Sequence, residues 1–238
     1  MRIAITSKFE RILLGGYPAG YPLETPVSGY HQVPVLKPTM LPSSIDGLVA
    51  FNDLSRCSSP STRAVHFYKD DKKFANVLME PLKYSYKLSM FQSVITPDVT
   101  IGSGMPSWMR ARNTVLARMV GVVWQECGLN VIPNLRWVDP DDYSLVTCGI
   151  PTNSIFAVSN YGTYKTKNEK YEFDRGLTQL VTTLKPKTVL LHGATPIRVI
   201  AQLSEMTDMV IYPANEMLTV TKTGGSKAKE LDTVACLF

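Results

Sequence analysis

Residues 154–193 read SIFAVSNYGTYKTKNEKYEFDRGLTQLVTTLKPKTVLLHG, and this stretch decides the fold. Its two ends, 154–160 and 188–193, are short and almost continuously apolar, which is typical of strands buried on both faces. Between them, residues 168–184 carry apolar residues at helical spacing. A strand, a helix and a second strand in this order predict a parallel strand pair joined by a helical crossover.

The same alternation extends over most of the chain from Ala64 onward. Further short apolar runs occupy 64–68, 93–98, 130–138 and 209–214, and one more, at 48–54, precedes them. Segments with helical spacing occupy 72–91, interrupted near Pro81, and also 105–128 and 195–206. Gly128, which follows Cys127, predicts the end of the helix within 105–128.

About seven parallel strands are compatible with two α/β architectures. We expect a parallel (β/α) barrel-like fold, either a complete or an incomplete TIM barrel, with an open doubly wound sheet as the alternative. The early strands are not followed by a glycine-rich GxGxxG turn. A dinucleotide-binding sheet, which uses that turn to hold the pyrophosphate, is therefore less favoured.

The first 61 residues differ from the rest in composition. They are rich in Pro and Gly, as in GGYPAGYPLETP and QVPVLKPTMLP, and this spacing breaks any helical or strand period. We predict an N-terminal arm or cap over 1–61 and a single α/β domain of catalytic type over 62–238. Of the 238 residues, 45% are apolar, which is enough for one buried core.

The net charge of +5 gives the surface a mild attraction for anions such as DNA. The lysines form no dense run. We favour the interpretation that they belong to a solvated surface over the alternative of a phosphate-binding patch. The loose groups are Lys165, Lys167 and Lys170, and Lys222, Lys227 and Lys229.

The cysteines point to an intracellular chain without a metal site. Cys57, Cys127, Cys148 and Cys236 show no CxxC spacing and no neighbouring His at ligand spacing, so we expect reduced thiols, no metal and no cofactor. No secretory signal and no bilayer-length apolar segment is evident. We therefore expect a cytoplasmic protein that does not associate with membranes.

Polar side chains follow the predicted strands where their carboxyl ends converge, which is where α/β folds place their sites. The mixture of carboxylates, carboxamides, an Arg beside a Trp and a His before Gly is typical of catalytic sites, although polar loops occur in any fold. The candidates are Asp53, Tyr68, Asp70, Asp98, Asn134, Arg136, Trp137, Asn160 and His192.

Asp98 is the strongest catalytic candidate, because it ends the run VITP and precedes the loop GSGMP. A partly buried carboxylate there could act as nucleophile or general base, and the alternative is a turn or cap aspartate. Asp70 and Asp71 point to opposite sides, and Asp71 could cap the helix that begins at Lys72.

Asn134 and Arg136 share one side of an extended strand, with Trp137 opposite. They could bind a base edge and a phosphate or carboxylate. The equally weighted alternative is a structural clamp between Arg136 and Asp139 or Asp141. His192 could be catalytic or structural.

Several motifs occur in an order that resembles a phage and mobile-element family known as domain of unknown function 4417. They are FYKDDKKF, VITPD, GLNVIPNLRW, GIP, SNYG, FDRGL and LKPKTVLLHG. The resemblance covers about residues 64–193. It implies a phage setting without an established activity.

A more distant resemblance is to the guanine transglycosylases, which exchange guanine in a polynucleotide for a 7-deazaguanine base. It implies that Asp98 attacks the sugar C1′, that Asp53 or Asp70 handles the proton, and that Tyr68, Trp137 or Tyr161 stacks on the flipped base. The tRNA-acting members carry a Cys/His zinc site, which the cysteines of this chain do not supply.

Three functions follow as hypotheses. The first is a DNA guanine transglycosylase, with DNA and a small-molecule base as partners. The second is a non-catalytic DNA-binding or replication accessory protein. The third is a barrel hydrolase or lyase that acts on a small molecule. The sequence does not indicate an oligomeric state.

Overall fold

The computed structural model describes residues 16–39, 45–194 and 196–214. Within the N-terminal arm, two short strands, β1 (Val27–Ser28) and β2 (Val33–Pro34), form an antiparallel pair. The backbone then enters the α/β part of the molecule. Lys222, Lys227, Lys229 and Cys236 lie outside the described residues.

The seven predicted strands are all present, and all of them are parallel to their neighbours. Four form one sheet in chain order, namely β3 (Gly47–Ala50), β4 (Arg63–His66), β5 (Ser93–Ile95) and β6 (Val131–Ile132). Three form a second sheet, namely β7 (Ile155–Ser159), β8 (Thr188–His192) and β9 (Asp208–Tyr212). The prediction of a parallel α/β fold is confirmed.

The two sheets meet where the chain leaves β6. The Leu135 N–H donates to the Ala157 carbonyl at 2.9 Å, and the Ala157 N–H donates to the Pro133 carbonyl at 2.8 Å. The strands from β3 to β9 therefore follow one another in sequence order, without the reversal that defines a doubly wound sheet.

A closed barrel would also require β9 to pair with β3. No such backbone pairing occurs among the described residues. The two edges are linked by a side chain instead, since the Tyr212 hydroxyl donates to the Ile45 carbonyl at 2.8 Å.

The described residues contain six α-helices, which connect the strands or follow them. They are α1 (Ala75–Met79), α2 (Leu82–Leu88), α3 (Ser107–Glu126), α4 (Tyr143–Thr147), α5 (Lys167–Leu184) and α6 (Ile197–Leu203). Pro81 separates α1 from α2, as predicted, because its ring disfavours a helical conformation in the preceding residue. The short helix α4 was not predicted. None of the helices within the described ranges is both long and apolar enough to cross a bilayer.

Gly128 ends α3 as the sequence predicts. It has a φ of 80°, and its N–H donates to the Gln125 carbonyl at 3.0 Å. The Leu129 N–H donates to the Trp124 carbonyl at 3.0 Å, which completes a Schellman motif. This turn directs the chain from α3 into β6.

The core has one inner layer and two outer layers, because side chains alternate along each strand. On β7, Ile155 and Ala157 point inward, whereas Phe156 and Val158 pack against α5 and α6. The inner layer receives side chains from the strands or strand ends of both sheets: Leu48, Tyr68, Ile95, Ile132, Ile155, Ala157, Leu190, Val210 and Tyr212. The two sheets thus share one inner layer of side chains.

The described part of the arm packs on the outer side of α3. Val33 and Leu36 are buried, and the Leu36 N–H donates to the Gly149 carbonyl at 2.9 Å. Leu36 contacts Val122 and Val123 of α3. Helix α3 is therefore covered by the arm on one side and by the first sheet on the other.

Candidate functional site

Four side chains form a continuous hydrogen-bond chain beyond the ends of β4, β5 and β6. Arg136 Nη1 donates to Asp98 Oδ2 at 2.7 Å, and Asn134 Nδ2 donates to Asp98 Oδ1 at 2.8 Å. The Tyr68 hydroxyl donates to Asn134 Oδ1 at 3.1 Å. We call Tyr68, Asp98, Asn134 and Arg136 the Asp98 network. The sequence predicted all four as site residues, and the fold brings them together.

Asp98 is fixed at the centre of this network. Burial raises the pKa of its carboxyl group, while the Arg136 charge and the Asn134 amide act in the opposite direction. At 2.7 Å from a guanidinium, we take the carboxylate to be ionised near neutral pH. Each of its oxygens accepts one hydrogen bond, so its orientation is held from two sides.

The partners of Asp98 are themselves held by backbone contacts. The Asn134 N–H donates to Thr96 Oγ1 at 2.8 Å, and Arg136 Nε donates to the Ile101 carbonyl at 3.2 Å. Such contacts fix side chains that act together in binding or catalysis.

The alternative clamp between Arg136 and Asp139 or Asp141 does not form. Asp139 instead pairs with Arg110 at 2.9 Å, and Arg110 also pairs with Asp142 at 2.9 Å. Asp141 contributes its backbone N–H to Asp139. Arg136 is therefore left to the Asp98 network.

Four rings form a cluster at the Asp98 network, and one of them, Tyr68, belongs to both. The centroids of Tyr68 and His192 are 4.7 Å apart, those of His66 and His192 4.9 Å, and those of His66 and Tyr68 5.1 Å. Tyr161 meets His192 edge-on at 5.8 Å. We call these residues the ring cluster. His66 was not among the predicted site residues, although its position two before Tyr68 places both on one face of an extended strand.

The histidines of the ring cluster are neutral at pH 7. Burial lowers the pKa of His66 to about 3, with smaller contributions from His192 and Lys69. Burial also lowers the pKa of His192 to about 4, with a contribution from Lys69. Burial raises the pKa of Tyr68 well above its usual value, so that its hydroxyl stays protonated. His192 Nδ1 is 2.9 Å from Ser159 Oγ.

A cavity of about 510 Å³ opens against the ring cluster. Its wall includes residues at the ends of β3, β4, β8 and β9, together with the exposed cations Arg56 and Lys69. Asp53 also lines it and pairs with Arg56 at 3.3 Å. Tyr68 joins the cavity to the Asp98 network, because it belongs to both.

Asp70 and Asp71 do not have the roles expected of them. Asp70 accepts the Lys72 N–H at 3.0 Å and caps the short 3-10 helix Asp71–Lys73. Asp71 accepts hydrogen bonds from the Thr100 N–H and hydroxyl. The expectation that Asp71 is the cap is wrong, and Asp70 takes that position on the surface.

Two further predicted residues are engaged in structural contacts. The Asn160 side chain donates to the Ala194 carbonyl at 2.9 Å and accepts the Ala194 N–H at 2.8 Å, which joins the loops after β7 and β8. Trp137 stacks on Phe173 at 5.3 Å and donates to the Glu172 carbonyl. It lines a separate cavity of about 310 Å³, which also reaches Arg136.

Within the described ranges, no group of three or more His, Cys, Asp or Glu side chains is placed to hold a metal ion. The residues of the site can supply stacking, hydrogen bonding, and charge or proton transfer by Asp98, Asp53 and the neutral histidines.

The curated relatives of this chain include the Gene 1 proteins of two mycobacteriophages. The chain is 27% identical to that of Mycobacterium phage L5 over 169 residues, which cover 70% of this chain and 72% of the relative. It is 29% identical to that of Mycobacterium phage D29 over 171 residues, which cover 71% of this chain and 62% of the relative. No solved structure matches the chain significantly.

A family model also matches, over residues 25–210. This span contains the whole of 64–193, where the motifs gave the resemblance, and it begins within the N-terminal arm. The chain belongs to the family described as Domain of unknown function (DUF4417).

Proposed function

We propose that this chain is an enzyme that acts on a nucleic-acid base held in the cavity of about 510 Å³ beside the ring cluster. Three buried rings on the cavity wall, His66, Tyr68 and His192, are the observation that carries the proposal. The cavity lies within the range of small-molecule sites, about 300–1,000 Å³. It also lies at the carboxyl ends of parallel strands, where α/β enzymes carry their sites.

The rings supply a surface on which a planar ligand can stack. Tyr161 projects beside His192 with 54% of its surface exposed, so it can meet a base from the open side. Stacking of a base on an aromatic side chain contributes about 1–3 kcal/mol. Because both histidines are neutral, a base that stacks on them does not have to displace the hydration of a charged ring.

The charges on the cavity wall favour a ligand that carries phosphate. Lys69 and Arg56 both line the cavity and are exposed. Asp53 balances Arg56 in part, which leaves Lys69 as a cation close to the rings. A nucleotide within a DNA strand would combine a stacking base with a backbone phosphate near these side chains.

The reaction that we propose is exchange of guanine in DNA for a 7-deazaguanine base, with Asp98 as the nucleophile at C1′. Asp98 would attack C1′ as the C1′–N9 bond breaks and guanine leaves with a proton. The incoming base would then give up its own proton and displace the carboxylate from C1′. The pairing with Arg136 favours the ionised form of Asp98, which a nucleophile requires. One of its oxygens would have to release the Asn134 amide to reach the sugar. Asp53, on the cavity wall, is better placed than the capping residue Asp70 to transfer the proton.

Incubation of the purified chain with DNA and labelled guanine or 7-deazaguanine tests this reaction. We expect label in the polymer with the wild type and with Asp141→Asn, a surface control, and none with Asp98→Asn. Absence of label with the wild type would contradict base exchange. Nucleotide binding that is unaffected by Tyr161→Ala would contradict the stacking site itself.

A second candidate is a DNA-binding accessory protein, favoured by the net charge of +5 and the two phage relatives. Its DNA binding would weaken steeply with salt and would survive Asp98→Asn. Under either function we place the chain in the cytoplasm of a bacterial host.

We also propose that the seven parallel strands close into a barrel. The inner layer of side chains from both sheets supports closure, as does the contact from Tyr212 to the Ile45 carbonyl. Closure would protect the outward-facing backbone amides of β3 and β9 from solvent. Their hydrogen exchange should then be as slow as that of the amides of β4. Fast exchange along both edge strands would contradict it.

A further inference from the structure

Arg118 of α3 is a buried cation without a carboxylate partner in the described part of the chain. Only 1% of its surface is exposed, and none of the ion pairs there includes it. Its Nη1 donates to the Asn134 carbonyl at 2.8 Å, and its Nη2 donates to the Val146 carbonyl at 3.1 Å. Its Nε is buried and has no hydrogen-bond partner among the described residues.

Such an arrangement is costly. An ion removed from water loses several kcal/mol of solvation, which proteins usually offset with an opposite charge and complete hydrogen bonding. The two carbonyl groups compensate the Arg118 charge only in part. Burial lowers the pKa of Arg118 to about 9, and the nearby Cys148 thiol opposes this shift only partly.

A small cavity of about 20 Å³ lies against Arg118. A single water needs about 10–15 Å³, so the space holds one small particle and excludes a phosphate or a carboxylate-bearing molecule. Arg136 lines the same cavity, but its charge is already paired with Asp98 at 2.7 Å. Asp98 is thus engaged by Arg136, and within the described ranges no carboxylate lies at hydrogen-bond distance from Arg118.

We propose that this cavity binds a single halide-sized inorganic anion, such as chloride, which balances the Arg118 charge. The anion would accept the hydrogen bond that the Arg118 Nε–H can donate. A water molecule could accept the same hydrogen bond but would leave the charge unbalanced.

The proposed anion site is linked to the Asp98 network through one residue. Arg118 holds the main-chain carbonyl of Asn134, and the side chain of Asn134 holds both Asp98 and Tyr68. Loss of the anion would therefore loosen Asn134 as well. The inference rests on Arg118 and the cavity alone and does not depend on the reaction proposed above.

Crystals of the wild type grown in bromide test the site directly. We expect an anomalous bromide peak in the cavity, within hydrogen-bond distance of Arg118 Nε. A feature there without anomalous signal would be a water and would overturn the proposal, as would an empty cavity.

Thermal unfolding in solution gives an independent test. A ligand that binds only the folded state raises Tm in a saturable way, so Tm should rise with chloride relative to gluconate at equal ionic strength. Equal Tm values in the two salts would overturn the proposal.

Two variants localise the chloride effect. Ala117→Val places two extra methyl groups in the cavity wall without changing any charge, and we expect it to abolish the chloride response. Arg198→Gln removes an exposed positive charge and should keep the response. A response that survives Ala117→Val would also overturn the site, and this test does not require the more disruptive loss of Arg118.

Discussion

Two arginine–carboxylate clusters of similar geometry lie in different regions of the molecule. Arg136 pairs with Asp98 at 2.7 Å beyond the ends of β5 and β6, and Arg110 pairs with Asp142 and Asp139, each at 2.9 Å, near the start of α3. The first cluster is connected through Asn134 to Tyr68, which lines the cavity of about 510 Å³. The second ties α3 to the loop before α4. The residue types alone thus do not distinguish a cluster in the candidate site from a structural cluster. The position of the cluster relative to the strand ends distinguishes them.

Replacing Arg136 is the strongest way to test this comparison. Arg136→Met leaves the buried Asp98 carboxylate without its counter-ion, which should lower the free energy of unfolding by about 3–5 kcal/mol. The same variant should lose nucleotide binding. Urea unfolding and a binding titration measure the two effects.

The matched control removes both charges at once. In Arg136→Met/Asp98→Asn, neither member of this pair is left as an unpaired buried charge, and most of the stability should return while binding stays lost. If the double variant is as unstable as the single one, the cost does not come from the isolated carboxylate.

Replacing Arg110 should have a smaller effect on stability, and binding should be unchanged. Asp142 would keep the hydrogen bond from the Val138 N–H at 2.9 Å, and the Asp139 side chain is 41% exposed. We expect Arg110→Met to cost about 2 kcal/mol in urea unfolding. Loss of nucleotide binding in this variant would show that the two clusters are not functionally distinct.

The pH dependence of stability separates the two regions further, because His66 and His192 lie only on the site side. Their pKa values, about 3 and about 4, are below the unfolded value of 6.5, so the unfolded chain takes up protons first as pH falls. The contribution of the two neutral histidines to the free energy of unfolding is complete above pH 6.5. It is lost as the pH falls towards 4 and then 3. Each histidine adds a slope of about 1.4 kcal/mol per pH unit in that window.

Comparison of variants isolates this slope. His192→Gln should flatten the curve of unfolding free energy against pH, whereas His31→Gln, which alters an exposed histidine, should not. Asp98 has a raised pKa and acts in the opposite direction, so the difference between variants is the quantity to measure. An unchanged curve for His192→Gln would contradict the buried, neutral histidine.

The smallest stability effect is expected at the rim of the cavity. Tyr161 is more than half exposed, so Tyr161→Ala should change the free energy of unfolding by no more than about 0.5 kcal/mol. Nucleotide binding should nevertheless weaken by about 1–3 kcal/mol, because one stacking surface is lost. A fluorescence titration together with urea unfolding would show whether binding and stability separate in this way.

The strands were predictable because each is a short apolar run bounded by polar residues, and burial on both faces leaves that mark in the sequence. The helix α4 and the pair of β1 and β2 were not predicted. Helix α4 has only five residues, too few to show a period, and the arm strands lie among prolines and glycines.

The site was predictable as far as it depends on strand ends. Tyr68, Asp98, Asn134, Arg136 and His192 follow or end strands, and the fold brings their side chains together. Asn160 and Asp70 occupy equivalent places but bind nearby backbone groups instead. A strand end fixes where a residue lies, whereas the loop conformation decides which partner its side chain meets.

The burial of Arg118 could not be predicted from helical periodicity. The pattern assigns α3 one apolar face that includes Val115, Met119, Val122 and Val123, and Arg118 lies elsewhere on the helix. The helix is buried on more than one side, because the arm packs on Val122 and Val123 while the first sheet packs on Val120 and Trp124. Arg118 itself is buried against the loop after β6 and against α4, where the Asn134 and Val146 carbonyls accept its hydrogen bonds.

The sequence by itself determined the alternation of strands and helices, the parallel class of the fold and the strand ends at which polar groups gather. These features depend on local periodicity and on the chain direction, both of which can be read in order. Only the tertiary structure decided that Asp98 pairs with Arg136, that His66 joins the rings and that Arg118 is buried beside a small cavity. Those contacts join residues far apart in the chain, and their partners are set by packing between elements.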